Sequence, residues 1–382
     1  MNFYKNKLFV IFSFAFLIFL SYQPILVGDY LFTDTYNLSF PKIGANNSDD
    51  FFIGSYEKLS NIFIGTYGRP LTFYYFIFLN KIILDPGDAF YFRLIAILMI
   101  IFIYFSMTEI FNNLNIPFHH SVALAAIIVT TPSFLIHSYW LVMIPGLASV
   151  LFAIYAYKIL EGVEFNKKKE LSRIFLSSLF IMLSLFIYQQ NSTFFLLLLL
   201  LPPTNSFLNK STINLKFFFL KIIVFIISLL FHLLILKFYY EAKLRGPELH
   251  PIGIYYKVKW FISEVIPLAM NFFFFNFNII FLFFLVFLIL IYSIKKFKDK
   301  KSILEYAFFL GIVIFFASAL LFFPVLIAKG YITTSHRVIL TLSSFFIIII
   351  YFLIKNFFKK RKILTYFLFL FFLQSYLKIF LY

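Results

Sequence analysis

Four of the six arginines, Arg69, Arg93, Arg245 and Arg337, fall in or at the edge of connectors that also carry carboxylates, histidines and side-chain amides. A guanidinium is a planar fork that grips two phosphate oxygens at once, which the point charge of a lysine does not do. In the same connectors stand Asp29, Asp34, Asp49 and Asp50. A carboxylate held near a hydroxyl can take its proton without help from a metal. Together these residue types suggest a phosphate-bearing substrate and an acid or base that acts on it. Taken singly, each is as readily a water-exposed loop residue, and only the set points to that chemistry.

The first long connector holds Gly28-Asp29-Tyr30-Leu31-Phe32-Thr33-Asp34, then Asp49-Asp50, then Gly68-Arg69-Pro70-Leu71. The adjacent aspartates read either as a turn after Asn46-Asn47-Ser48 or, with water, as a holder for a divalent cation. Tyr188-Gln189-Gln190-Asn191 separates two apolar runs. Three successive amides in hydrocarbon cost free energy unless bonded or wet. The run is therefore either an exposed turn or the wall of a cavity whose amides and phenol suit sugar hydroxyls. His137-Ser138-Tyr139-Trp140 reads as a substrate contact or as an aromatic interface anchor. His336-Arg337 could meet a substrate phosphate or an ordinary lipid headgroup, and Arg245 lies with Glu248, His250, Lys257 and Lys259 in a second connector. The six histidines show no metal-ligand spacing, and His232, alone in an apolar run, reads as a bonded core residue. The absence of cysteine excludes disulfides, thiolate metal sites and cysteine nucleophiles.

The elements that must position these groups are membrane helices. The 382 residues are 62% hydrophobic and 13% charged, more apolar surface than a water-soluble domain can hide. A span needs about 20 apolar residues, and the sequence supplies about eleven such runs. The expected fold is all-α: a single polytopic bundle over 1–382, with short helices in the first outer segment. Lysine collects on the cytoplasmic side. Lys5 and Lys7 place the N-terminus inside, and parity then puts Lys167–Lys169, Lys295–Lys301 and Lys359–Lys362 inside as well. Spans are expected at 8–27, 89–108, 119–136, 140–160, 172–187, 192–203, 217–238, 277–294, 304–327, 338–354 and 363–381. The segments 28–88 and 239–276 become outer loops, with 70–84 a helix lying in the interface. The run 8–27 is longer than a signal core and lacks a small-residue cleavage site, so it reads as a retained span. The net charge of +17 comes from lysines beside spans, so it points to anionic lipid rather than nucleic acid. The 62 phenylalanines follow from AT-rich codons as easily as from function, so a lone Phe carries no functional weight.

The order of landmarks resembles the membrane glucosyltransferases that modify bacterial O-antigen, the serotype-converting glucosyltransferase II type. These belong to the polyprenyl-phosphate-sugar-dependent transferases of GT-C architecture. The shared pieces are acidic residues after the first span, Gly68-Arg69-Pro70-Leu71, Ser138-Tyr139 before Ala153-Ile154-Tyr155-Ala156, Leu185-Phe186-Ile187-Tyr188-Gln189, and His336-Arg337-Val338-Ile339-Leu340. The resemblance implies a lipid-linked sugar donor, a glycan acceptor and a place in the bacterial inner membrane with the active face outside the cytoplasm. It implies that Asp34 or the Asp49-Asp50 pair serves as base or positioning carboxylate. By the same resemblance, Arg69 and Arg337 meet the donor phosphate, and Tyr188 and Gln189 line the pocket. No arginine follows Asp49-Asp50 before Arg69, which leaves the two aspartate assignments as alternatives.

Two other functions fit parts of the pattern. A polysaccharide polymerase would use the arginine and basic residues of 239–276. A flippase or transporter would be expected to show inverted halves and charges along an intramembrane path.

Overall fold

The computed structural model describes residues 2–27, 60–82, 86–161, 168–209, 215–242, 250–270, 278–297, 300–328 and 338–355. Asp29, Asp34, Asp49, Asp50, Arg245, His336 and Arg337 lie outside the described residues, as does the expected last span at 363–381.

Among the described residues the chain is helical. The principal helices are α1 (Asn2–Val27), α2 (Pro70–Ile82), α3 (Ala89–Asn113), α4 (Phe118–Val129), α5 (Pro132–Tyr139), α6 (Pro145–Leu160) and α7 (Lys168–Ile187). They continue with α8 (Phe194–Asn209), α9 (Leu215–Phe238), α10 (Pro251–Trp260), α11 (Asn278–Lys296), α12 (Lys300–Leu321) and α13 (Leu340–Lys355). Six helical segments are long and apolar enough to cross a membrane, and α4 with α5 makes a seventh if the pair, bent by 55°, is one span. The expected count of about eleven is not reached among the described residues. Helices α8 and α13 have 16 described residues each, against the ~20 that the hydrocarbon core requires, and both end where the described residues end. The helix at 70–82 is also short and apolar.

Proline sets several helix starts. Pro132, Pro145 and Pro251 stand in the first turn of α5, α6 and α10, where the missing N–H is no loss. The bend between α4 and α5 follows from the same chemistry. Thr131 precedes Pro132 and adopts extended backbone, as a residue before proline must to avoid the ring. Helix α13 is buried on nearly every side, which makes it the axis of the bundle. It touches α4, α8, α11 and α12.

Charged side chains gather in two groups in the described bundle. At one end of the bundle, here the lysine end, Lys158 pairs with Glu109 at 2.6 Å. Arg173 donates to the carbonyls of Ile159 and Glu161, and Lys221 sits over the Tyr157 ring. The other end, here the arginine end, gathers Arg69, Arg93, His137, Tyr188 and Lys257. Arg93, 1% exposed, donates from Nη1 to the Ile25 carbonyl at the last turn of α1. That position favours a cation because the helix carbonyls point there. Arg93 therefore closes a helix end inside the bundle rather than standing on an open rim.

Candidate functional site

The site grows from two breaks in helical structure that meet at the arginine end. In the first, a single π-helical stretch, Asn61–Thr66, is stopped by Gly68 at φ 63°. That left-handed conformation costs an L-residue with a side chain about 1–2 kcal/mol. Gly68 lets the chain turn so that the Arg69 N–H reaches the Phe63 carbonyl at 2.7 Å. Arg69 then directly precedes Pro70, the first residue of α2, and its own carbonyl receives the Phe73 N–H.

The second break is at Tyr188. Helix α7 ends at Ile187, and Tyr188 adopts extended backbone before a single turn, Gln189–Ser192. Amide and hydroxyl side chains compete with the helix ladder for backbone partners. Here the Ser192 hydroxyl donates to the Gln189 carbonyl and the Thr193 hydroxyl to the Gln190 carbonyl, each at 2.6 Å.

The two breaks are joined side chain to side chain. Gln189 Nε2 donates to the carbonyls of Tyr67 and Gly68, both at 2.7 Å. Its Oε1 accepts the Nε–H of Arg69 at 3.0 Å. The guanidinium carbon lies 4.0 Å from the centre of the Tyr188 ring and 5.2 Å from that of Tyr67. Thr72 donates to the Ile187 carbonyl at 2.6 Å, locking the start of α2 to the end of α7. Tyr75, one turn further on, donates to the Leu141 carbonyl. Burial raises the Tyr75 phenol above its ordinary range, so it remains a donor. Arg69 is thus held by its face and by one edge. Its two terminal nitrogens make no hydrogen bond among the described residues, and no carboxylate pairs with it there.

Behind this cradle lies a closed polar knot. His137 is buried, with Nδ1 2.7 Å from the Ser133 carbonyl. A carbonyl only accepts, so Nδ1 carries the proton and Nε2 is the acceptor. Asn191 Nδ2 donates to that Nε2 at 3.1 Å and to the Gly146 carbonyl at 3.0 Å. Gly146 is glycine because a Cβ there would sit 2.4 Å from His137 Cδ2 and 2.8 Å from Asn191 Nδ2. Ser184 donates to the Ser149 carbonyl at 2.8 Å, and the Ser149 hydroxyl lies 3.1 Å from the Tyr188 carbonyl. The knot fixes Tyr188, and through it the face of Arg69.

The sequence-derived candidates therefore divide. Arg69, Tyr188 and Gln189 come together, although 69 and 189 are far apart in the chain. Gln190 is turned inward: it is buried, and its carbonyl faces Thr341 at the start of α13. The Gln190 Oε1 and Asn191 Oδ1 atoms are buried and accept no hydrogen bond among the described residues. His137 has both ring nitrogens engaged, and Tyr139 is half-buried beside it. Among the described residues no group of three His, Asp or Glu could hold a metal ion. Sequence reasoning missed Tyr67, Thr72 and Gly146, whose signals are a lone aromatic, a lone hydroxyl and a glycine after proline, all common in loops.

No protein-family model, curated protein or solved structure matches the chain.

Proposed function

We propose that this chain is a membrane glycosyltransferase. It moves one sugar, glucose by the resemblance, from a polyprenyl-phosphate carrier to a hydroxyl of a surface glycan such as O-antigen. The arginine end faces outward from the bacterial inner membrane, and transfer takes place there. The observation that carries the reading is Arg69, stacked on Tyr188, anchored through Nε by Gln189, and with its terminal nitrogens unused among the described residues. A guanidinium oriented in this way suits two phosphate oxygens.

A sugar nucleotide does not reach the outer face, so a donor used there arrives on a lipid. Such a donor has one phosphodiester at the membrane boundary, and in this reading the two helix breaks at the arginine end lie at that level. In the reaction, the acceptor oxygen forms a bond to the anomeric carbon. The bond from that carbon to the phosphate oxygen breaks, and its electron pair leaves with the polyprenyl phosphate. Arg69, with Arg337, offsets the charge that builds on the leaving phosphate. The acceptor proton passes to Asp34 or Asp50.

The test compares the surface glycans of the host with and without the gene, by mass and by chain length. Loss of one side-branch hexose from full-length chains, restored by the wild-type gene and not by Arg69→Ala, is the expected result. Single-repeat chains would instead indicate a polymerase, and an unchanged glycan would end the proposal.

A further inference from the structure

Residues 251–270 form one continuous helical rod, α10 followed by a π-helical stretch (Phe261–Val265) and a short α-helix (Ile266–Met270). Its first half is inside out for a helix in water. Lys257 is 4% exposed, while Ile252 is 60% and Tyr255 64% exposed, with Ile254, Tyr256 and Val258 outward beside them. A helix on a water-facing cap turns its apolar stripe inward and its charges outward.

The inward side explains the lysine. Lys257 Nζ donates to the carbonyls of Val325 and Ala328, at the end of the short helix Phe323–Ile327. A cation at a helix C-terminus meets unpaired carbonyls and the negative end of the dipole. Trp260 and Phe261 pack beside it on the Phe322 ring. The outward side has no such account in water, since each large apolar side chain left there forgoes roughly 1.5–3 kcal/mol of burial. Against hydrocarbon the arrangement is the favoured one. An ammonium facing lipid is costly, so it turns to carbonyls, and the isoleucines and valine face acyl chains. Tyr255 and Tyr256, adjacent with ring centroids 5.8 Å apart, are amphipathic rings of the kind that collect at headgroup level. Lys259, exposed on the first half of the rod, has a stem long enough to reach the headgroups, and the other exposed charge, Glu264, lies beyond this half.

Other elements at the arginine end share the pattern. Helix α9 ends in Phe238 followed by Tyr239, and both are strongly exposed, while α2 exposes Tyr74 and Phe78. Tyr240 packs with Ile64 and Phe73, which ties the end of α9 to the α2 region.

We infer that residues 250–262 lie in the interfacial layer of the bilayer, with Ile252, Ile254, Tyr255, Tyr256 and Val258 in contact with lipid. This part of the expected outer loop 239–276 is then a membrane-inserted surface whose partner is lipid. This inference rests on side-chain placement alone and stands or falls independently of the transferase proposal.

The chain has no cysteine, so single-cysteine variants need no background removal. Nitroxide labels at Ile252→Cys, Tyr255→Cys, Tyr256→Cys and Val258→Cys are placed in the full chain, reconstituted in phosphatidylcholine–phosphatidylglycerol vesicles. Collision with oxygen, which partitions into lipid, is compared with collision with a water-soluble nickel chelate. Phe308→Cys, two turns into the apolar Lys301–Leu321 segment and strongly exposed, serves as the lipid standard and Lys301→Cys as the water standard. The oxygen-to-nickel ratio at the four positions is expected near that of position 308 and several-fold above that of position 301. A ratio equal to that at 301 makes the segment a water-facing cap and overturns the inference. Low collision with both reagents, together with cross-links between chains, means a second copy covers the surface and overturns it too. Iodination of the unsubstituted protein in the same vesicles gives a second reading. Protection of Tyr255 and Tyr256 relative to the unfolded chain supports insertion, and equal modification refutes it.

Discussion

Gln189 positions Arg69, and that role has a magnitude that separates it from a direct ligand. Arg69→Ala removes the fork itself. Two charge-assisted hydrogen bonds to phosphate are worth about 1.5–3 kcal/mol each, so affinity should fall by a factor of roughly 100 or more. Gln189→Leu keeps the guanidinium and its stack on Tyr188 but releases Nε, which Gln189 holds at 3.0 Å. Freeing the arginine returns part of the ~2 kcal/mol of rotamer entropy carried by that side chain. A loss of about 1 kcal/mol, or roughly fivefold, is expected. Tyr188→Leu removes the stacked ring and should cost a similar ~0.5–2 kcal/mol. The assay is titration of the purified full chain in detergent with a short-chain polyprenyl phosphate, with the unphosphorylated polyprenol as control. The order Arg69→Ala far below Gln189→Leu, and Gln189→Leu modestly below wild type, supports the reasoning. If Arg69→Ala binds the phosphate as well as wild type, the site is not the one described. If Gln189→Leu loses as much as Arg69→Ala while remaining folded, Gln189 touches the ligand itself and the positioning argument is wrong.

Three further outcomes are expected, two from the structure and one from the proposed reaction. Gly146→Ala drives a methyl group into His137 and Asn191, and overpacking of this kind costs about 1–3 kcal/mol. Its melting temperature in detergent should fall, and His137→Ala in the same chain should restore part of the loss through the shared contact. Lys158→Met breaks the ion pair with Glu109, whose side chain is 57% exposed. Exposed pairs contribute about 0–1 kcal/mol, so the melting temperature should barely move, and a large drop would show the pair to be structural. Asp34→Asn or Asp50→Asn should abolish sugar transfer while leaving membrane insertion intact, as read from glycan mass and membrane fractionation. Full transfer by both variants would remove the proposed base.

The sequence alone was enough to determine that this is a helical membrane protein, because its apolar runs exceed what a water-soluble core can bury. It also placed most long helices within a few residues, since an 18–25-residue apolar run between charged connectors has few other solutions. Arg245, Arg337 and Lys359–Lys362, which carry much of the expected separation of arginine from lysine connectors, lie outside the described residues. Local patterning did not determine the number of crossings. Helices α8 and α13 each have 16 described residues, and α13 is central because neighbours pack on nearly every side of it. The site was legible only as a set of residue types. That Tyr188 and Gln189 face Arg69 while Gln190 turns inward is decided by the extended backbone at Tyr188 and by carbonyls 122 and 121 residues away in the chain. Lys257 makes the same point: its charge looked like part of a wet loop, and only the free carbonyls beside it, brought there by tertiary packing, turn it inward and leave isoleucine and tyrosine outside.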